Sequence, residues 1–294
     1  MSDYTLSQVS LTDKSTLAQI DALLEQEGIR RDASLDYICA LFDENYNVIG
    51  TGSCFGNTLR CFAVSHAHQG EGLLNQIITH LIEVQCARGN LHLFLYTKVQ
   101  SARFFGDLGF YEIARVEDTL VFMENRRDGF GSYLRALEKT KTEGKSAVLV
   151  MNANPFTLGH QYLAETASAA CDTLHLFVVS EDASLVPFAV RRRLVAEGVA
   201  HLHNVVLHDS GPYIISNATF PSYFLKDEAA VIDGHARLDL AVFTKIAQAL
   251  NISARYVRDS VSFSLTFLLS AYLPCRYIIL VTIASTVESY PLIT

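Results

Sequence analysis

From residue 146 onward the chain repeats one pattern: a short apolar run, a polar turn, then an amphipathic stretch. The runs 147–151, 174–179 and 204–208 predict strands, and 160–170, 189–199 and 235–250 predict helices. Strands that alternate with helices fold as βαβ units, which build a parallel sheet covered on both faces. This constrains more than the fold. In an open parallel sheet, ligands bind beyond the carboxyl ends of the strands, so candidate site residues belong in the strand-to-helix turns.

The first half of the chain reads differently. Residues 13–27 place Leu17, Ile20 and Leu24 on one helical face, and Gly28 ends the run. Three strand-like runs follow, 36–42, 47–55 and 59–65, separated by turn residues and expected to form a meander. The loop HAHQGEG (66–72), a helix from about Leu73 to Arg88, a strand at 91–96, a short helix near 100–108 and a turn at 109–113 complete this part. The charged stretch 125–145 is expected to be a helical connector. The resulting division is 1–125, a connector at 126–145, a second domain at 146–256 and an atypical hydrophobic tail at 257–294.

Composition excludes several functions. A net charge of −8 and a pI near 5.7 argue against a general nucleic-acid binder, which needs a basic face. The six cysteines (39, 54, 61, 86, 171 and 275) are scattered without a C-x-x-C pair, so no metal site is expected. They read as reduced core residues of a cytoplasmic protein. The polar start MSDYTLSQVS lacks the basic and apolar regions of a signal peptide. His201, His203 and His208 lack carboxylate-rich spacing and are assigned to surface or core.

The informative turn is the first one of the alternating half, VLVMNANPFTLGHQYL (148–163). An apolar run stops at Asn152, a loop with Pro155 and Gly159 follows, and His160 stands where the helix is expected to open. A helix N-terminus has unsatisfied N–H groups and partial positive charge, which suit phosphate. Gly159 lets a ligand approach the backbone. His160 adds a donor, and Thr157 adds a hydroxyl three residues earlier. Neither G-x-x-x-x-G-K-[ST] nor G-x-G-x-x-G occurs, which disfavours Walker A and dinucleotide readings.

N-P-F-T-L-G-H resembles the T/H-x-G-H signature of the nucleotidyltransferase superfamily. Five blocks (62–82, 92–112, 150–165, 174–188 and 213–228) resemble the [citrate (pro-3S)-lyase] ligases more closely, over about residues 1–256. That resemblance implies an N-terminal GNAT-like α+β domain followed by a Rossmann-like nucleotidyltransferase domain with a parallel sheet. It implies an enzyme that uses ATP, with Mg²⁺, to activate acetate as acetyl-adenylate. The acetyl group then goes to the thiol of a phosphoribosyl-dephospho-CoA group on the citrate lyase acyl carrier subunit, releasing AMP and diphosphate. Thr157 and His160 would act on the phosphates. Asn152, Asn154, Pro155, Phe156 and Gly159 would line the nucleotide site, and Arg191 best matches the arginine of the family block after Pro187-Phe188. Arg191, Arg192 and Arg193 are otherwise a basic helix start, either solvated or binding phosphate or carrier. Tyr213, Ser216, Thr219, Phe220, Tyr223 and Lys226 form an aromatic and hydroxyl-rich block, either on the carrier side or packed on the core.

In the first domain, Gln69-Gly70-Glu71-Gly72-Leu73-Leu74 resembles the Q/R-x-x-G-x-G/A loop of GCN5-related N-acetyltransferases (GNAT), whose N–H groups cradle the acetyl-CoA pyrophosphate. Gln69, Gly70 and Gly72 would be the contacts. Leu74 departs from the small residue of that pattern and is expected to crowd the phosphate path. Two other readings therefore stand beside the ligase: a non-catalytic carrier-docking remnant of that family, and a GNAT acetyltransferase that uses acetyl-CoA.

Beyond Tyr256 the chain departs from the family pattern, and I-S-x-S-x-x-R, whose serine and arginine the resemblance places on the triphosphate, occurs nowhere. Residues 257–294 hold four charged residues, Arg258, Asp259, Arg276 and Glu288. A frameshifted or replaced segment with impaired activity is the expectation. A membrane span is the rival, but Pro274-Cys275-Arg276 interrupts the apolar run, so no membrane association is expected.

Overall fold

The computed structural model describes residues 4–181, 185–214, 220, 223, 228–258 and 279–283. Ser216, Thr219, Lys226 and the tail segments 259–278 and 284–294 lie outside the described residues. The chain forms two compact units, Met1–Gly129 with Pro221–Val231, and Phe130–Phe220 with Ile232–Thr294.

The first unit is a GNAT-like α+β fold around a seven-stranded sheet of order β1-β2-β3-β4-β5-β7-β6. The expected meander is β2 (Tyr37–Phe42), β3 (Val48–Phe55) and β4 (Thr58–Val64), all antiparallel neighbours. β1 (Thr5–Gln8) adds an edge. The strand expected at 91–96 is β5 (Phe94–Thr97), parallel to β4. The expected turn at 109–113 is instead the start of a hairpin, β6 (Tyr111–Val116) and β7 (Leu120–Glu124). Its turn residue Asp118 takes φ +58°, a left-handed conformation in which Asp is enriched relative to other non-glycine residues.

Helix α1 (Lys14–Gln26) is capped by Asp13, whose side chain accepts the Thr16 N–H at 3.1 Å. It buries Leu17, Ile20, Leu23 and Leu24 against one sheet face. Helix α2 (Leu73–Ala87) and the short α3 (Ala102–Asp107) cover the other, around Ile77, Ile78, Leu81 and Phe105. Cys39, Cys54 and Cys61 are buried in this unit, and burial pushes their thiols up to about 12, 11 and 12. Cys86 is exposed, on the outer side of α2, and Cys171 is half-buried, so not every cysteine is a core residue.

The second unit contains a five-stranded parallel sheet of order β10-β9-β8-β11-β12. Its strands are β8 (Ser146–Met151), β9 (Thr173–Val178), β10 (Val205–Asp209), β11 (Ile252–Arg258) and β12 (Ile279–Ile283). Helices α5 (Leu158–Ala169) and α6 (Phe188–Gly198) provide the β8–β9 and β9–β10 crossovers. Leu149, Met151, Leu163, Ala167, Leu176, Val178 and Val195 form the core between them. The expected connector contains α4 (Gly129–Glu138), which belongs mostly to this unit and packs the rings of Phe130 and Tyr133 at a tilt against Tyr213. Helix α7 (Glu228–Leu250) is longer than predicted. No helix among the described residues is long and apolar enough to cross a membrane.

Candidate active site

The candidate site is built on the loop between β8 and α5, at the carboxyl edge of the parallel sheet. The helix opens at Leu158, so His160 is its third residue and Thr157 its N-cap. This brings the two predicted phosphate-binding side chains together. The Thr157 N–H donates to His160 Nδ1 at 3.2 Å, and Thr157 Oγ1 lies 2.8 Å from the same nitrogen. An imidazole that accepts at Nδ1 carries its proton on Nε2. His160 is half-buried and its ring stacks on Phe156, with centroids 5.8 Å apart. Capping thus fixes both the tautomer and the orientation of a donor at a helix N-terminus.

The loop before the cap is held at three points. Asn152 accepts Arg191 Nη1 on both its carbonyl (2.9 Å) and its side-chain Oδ1 (2.8 Å). Asn154 Oδ1 accepts the Val186 N–H at 2.9 Å, tying the loop to the start of α6. Phe156 packs so closely on Gly198 that a Cβ there would lie 2.2 Å from the ring. Between these anchors Ala153 is buried at φ +50°, a left-handed conformation that costs a non-glycine residue about 1–2 kcal/mol. The Asn154–Pro155 peptide is cis, and Pro155 is exposed.

Gly159 shows the opposite. Its φ is not left-handed, and an added Cβ would meet only Thr157 Oγ1, at an ordinary 3.7 Å. Among the described residues nothing requires glycine at this helix position, where it costs roughly 1 kcal/mol relative to alanine.

Arg191 departs from the expected phosphate contact. It is fully buried, at 0% exposure. Besides Asn152, its guanidinium donates to Val186 O (2.8 Å), Val179 O (2.7 Å) and Glu181 O. It therefore binds the ends of β8 and β9 and the approach to α6 together through backbone carbonyls. Buried and engaged in this way, the guanidinium is turned into the protein as an anchor of the loop. Arg192 and Arg193 pair at the surface with Asp209 (2.5 Å) and Glu197 (3.8 Å).

A second latch was not anticipated. The Ser180 N–H donates to Ser210 Oγ at 2.8 Å, and the Gly211 N–H donates to Ser180 Oγ at 3.0 Å. It clasps the carboxyl ends of β9 and β10. The only signal in the sequence is a serine just after each strand. The histidines sort by environment: His201 is exposed and bonds Glu165 at 2.9 Å, His203 is exposed, and His208 is buried against His175. No group of three or more His, Cys, Asp or Glu side chains among the described residues could hold a metal ion.

In the first unit, Gly70 and Gly72 take φ +90° and +77°, so backbone conformation alone accounts for both glycines. Gln69 Nε2 donates to Val64 O and Glu27 Oε2, each at 3.4 Å. Leu74, expected to crowd the phosphate path, is the second residue of α2 and packs partly buried against the core.

A family model, the citrate lyase ligase C-terminal domain, matches residues 146–274 and so runs beyond Tyr256. A [citrate [pro-3S]-lyase] ligase from Klebsiella pneumoniae is 40% identical over 249 residues, covering 84% of this chain and 72% of the relative. The ligases of Haemophilus influenzae and Escherichia coli are 38% and 36% identical, covering 84% and 85% of this chain and 74% and 72% of their own. Among solved structures, a GNAT-family acetyltransferase from Staphylococcus aureus overlays 42% of this chain and 99% of its own, with a TM-score of 0.35 and 12% identity. The GNAT-like reading of the first unit rests on its strand order, and the family on the sequence relatives: this chain belongs to the [citrate [pro-3S]-lyase] ligase family.

Proposed function

We propose that this chain is an AMP- and diphosphate-forming acetate ligase. It would acetylate the thiol of the phosphoribosyl-dephospho-CoA group on the citrate lyase acyl carrier subunit. An acetate oxygen attacks the α-phosphorus of ATP, and diphosphate leaves. The thiolate then attacks the acyl carbon of acetyl-adenylate, and AMP leaves. No protein nucleophile is needed. The second unit must orient the triphosphate and stabilise charge as diphosphate departs.

The observation that carries this reading is the Thr157–His160 pair at the N-terminus of α5, with a glycine between them that no contact among the described residues requires. His160 Nε2–H and the helix N–H groups are donors, the Thr157 hydroxyl gives its proton to His160 Nδ1, and Asn152 and Asn154 are neutral. No carboxylate stands in this loop. That donor set suits an anion rather than a cation, so Mg²⁺ would enter as the ATP complex, part of the substrate. Arg191 acts here as a positioning residue, through Asn152.

The test is acetate- and ATP-dependent acetylation of the deacetylated carrier subunit, with AMP measured alongside. His160→Ala should lower turnover by ~10²–10³, the usual cost of one electrostatic contact to a transition state, with the circular dichroism unchanged. Full turnover by that variant would remove the loop from the chemistry.

A further inference from the structure

The parallel ladder between β4 and β5 holds for only two residue pairs, Thr58↔Phe94 and Leu59↔Leu95. Beyond them β4 continues to Val64 and β5 to Thr97 without pairing to each other. A gap therefore opens inside the first unit's sheet, where N–H and C=O groups of two strand edges face each other. Cys61 marks the divergence, with φ +53° at a register shift in β4.

Tyr223 fills this gap. It joins the first unit from far along the chain and is 5% exposed. Its hydroxyl donates to Tyr96 O of β5 at 3.3 Å, and it shares a buried cluster with Cys61 of β4. One side chain thus lies between the two strands where their own ladder fails, bonded to β5 and packed with β4. Its carbonyl accepts the Arg30 N–H at 2.6 Å, and its ring packs with Cys61, Ala63, Ile38 and Leu24.

The ligand class excluded by this arrangement follows from the edges. Two facing strand edges accept an extended chain whose amides complete both ladders, as in strand addition. A pantetheine arm is extended and carries amides. We propose that Tyr223 is a built-in plug that closes this gap to a pantetheine arm and keeps the GNAT-like unit from acting on acyl-CoA. The unit retains the sheet of an acyltransferase but fills the cleft with its own side chain. This inference does not depend on the ligase reading, because its test involves neither ATP nor acetate.

The test is isothermal titration of coenzyme A into the full chain. The unaltered protein and Tyr223→Phe, which keeps the ring, should show no binding up to ~1 mM. Tyr223→Ala should bind at least about tenfold more tightly than the unaltered chain. Tyr223→Leu, which also shortens the plug, serves if the alanine variant does not fold. Micromolar binding by the unaltered chain overturns the proposal whatever the variants do. So does a folded Tyr223→Ala or Tyr223→Leu protein that binds no more tightly than the original.

Discussion

Replacing Arg191 with methionine separates a structural arginine from a phosphate-binding one. The side chain is fully buried and donates to four residues: Asn152, Val179, Glu181 and Val186. Hydrogen bonds to a charged group contribute about 1.5–3 kcal/mol each, but they are not additive. Some of the carbonyls lie at the sheet edge, where water can replace part of the loss. Each buried acceptor left without a donor costs about 1–3 kcal/mol, so a total loss of about 3–5 kcal/mol is the expectation here. Against a typical domain stability of about 5–15 kcal/mol, the second unit would lose a large share. The assay is chemical denaturation followed by circular dichroism, reading the second unit's transition separately, since two units need not unfold together. Arg191→Lys keeps the charge but offers a point donor in place of a fork, so it should recover only part of the stability. The reasoning is refuted if Arg191→Met unfolds like the original chain while ATP-dependent turnover disappears. That pattern would put the guanidinium on the nucleotide instead.

Gly159→Ala should hold or raise stability, by up to about 1 kcal/mol from helix propensity, yet lower ATP-dependent turnover; unchanged turnover would show that no ligand approaches this backbone. The buried pair His175–His208, with Nδ1 and Nε2 2.9 Å apart, gives a pH prediction. Burial pushes both side chains down from 6.5 to about 4. The folded state therefore refuses protons that the unfolded chain accepts, and stability falls as pH drops from about 6.5 towards 4. The first proton costs about 3 kcal/mol, from about 1.36 kcal/mol per pH unit. Denaturation midpoints at pH 7.5 and 5 should differ accordingly, and His208→Gln should weaken the dependence.

The alternating half was legible because apolar runs and amphipathic stretches differ in period, and the turn holding Thr157, Gly159 and His160 falls between two of them. Its anchors were harder to see. Asn152 and Asn154 stand beside the motif, but their partners at 186 and 191 come from the next crossover, and sequence spacing does not encode that pairing. Arg191 followed by two further arginines reads as a basic face, because charge pattern carries no information about burial. The β6–β7 hairpin was missed for a local reason: a turn made by Glu117-Asp118 has no glycine to announce it. Tyr223 shows the same limit over a longer range. A tyrosine in an aromatic block gives no sign that it will close a gap in the first unit's sheet.

These anchors bear on catalysis through preorganisation. A donor aimed at a developing charge is effective only if it need not reorient when the charge appears. His160 meets that condition in two stages. Its Nδ1 is fixed by Thr157, and Thr157 follows a loop tied at three residues to α6 or the segment leading into it. Asn152 is held by Arg191, Asn154 by the Val186 N–H, and Phe156 by the flat surface at Gly198. The left-handed Ala153 sits among these ties, and a strained residue persists only where its surroundings over-determine it. The loop is therefore a rigid mount for the first turn of α5, where Gly159, beside His160, has no close neighbour among the described residues.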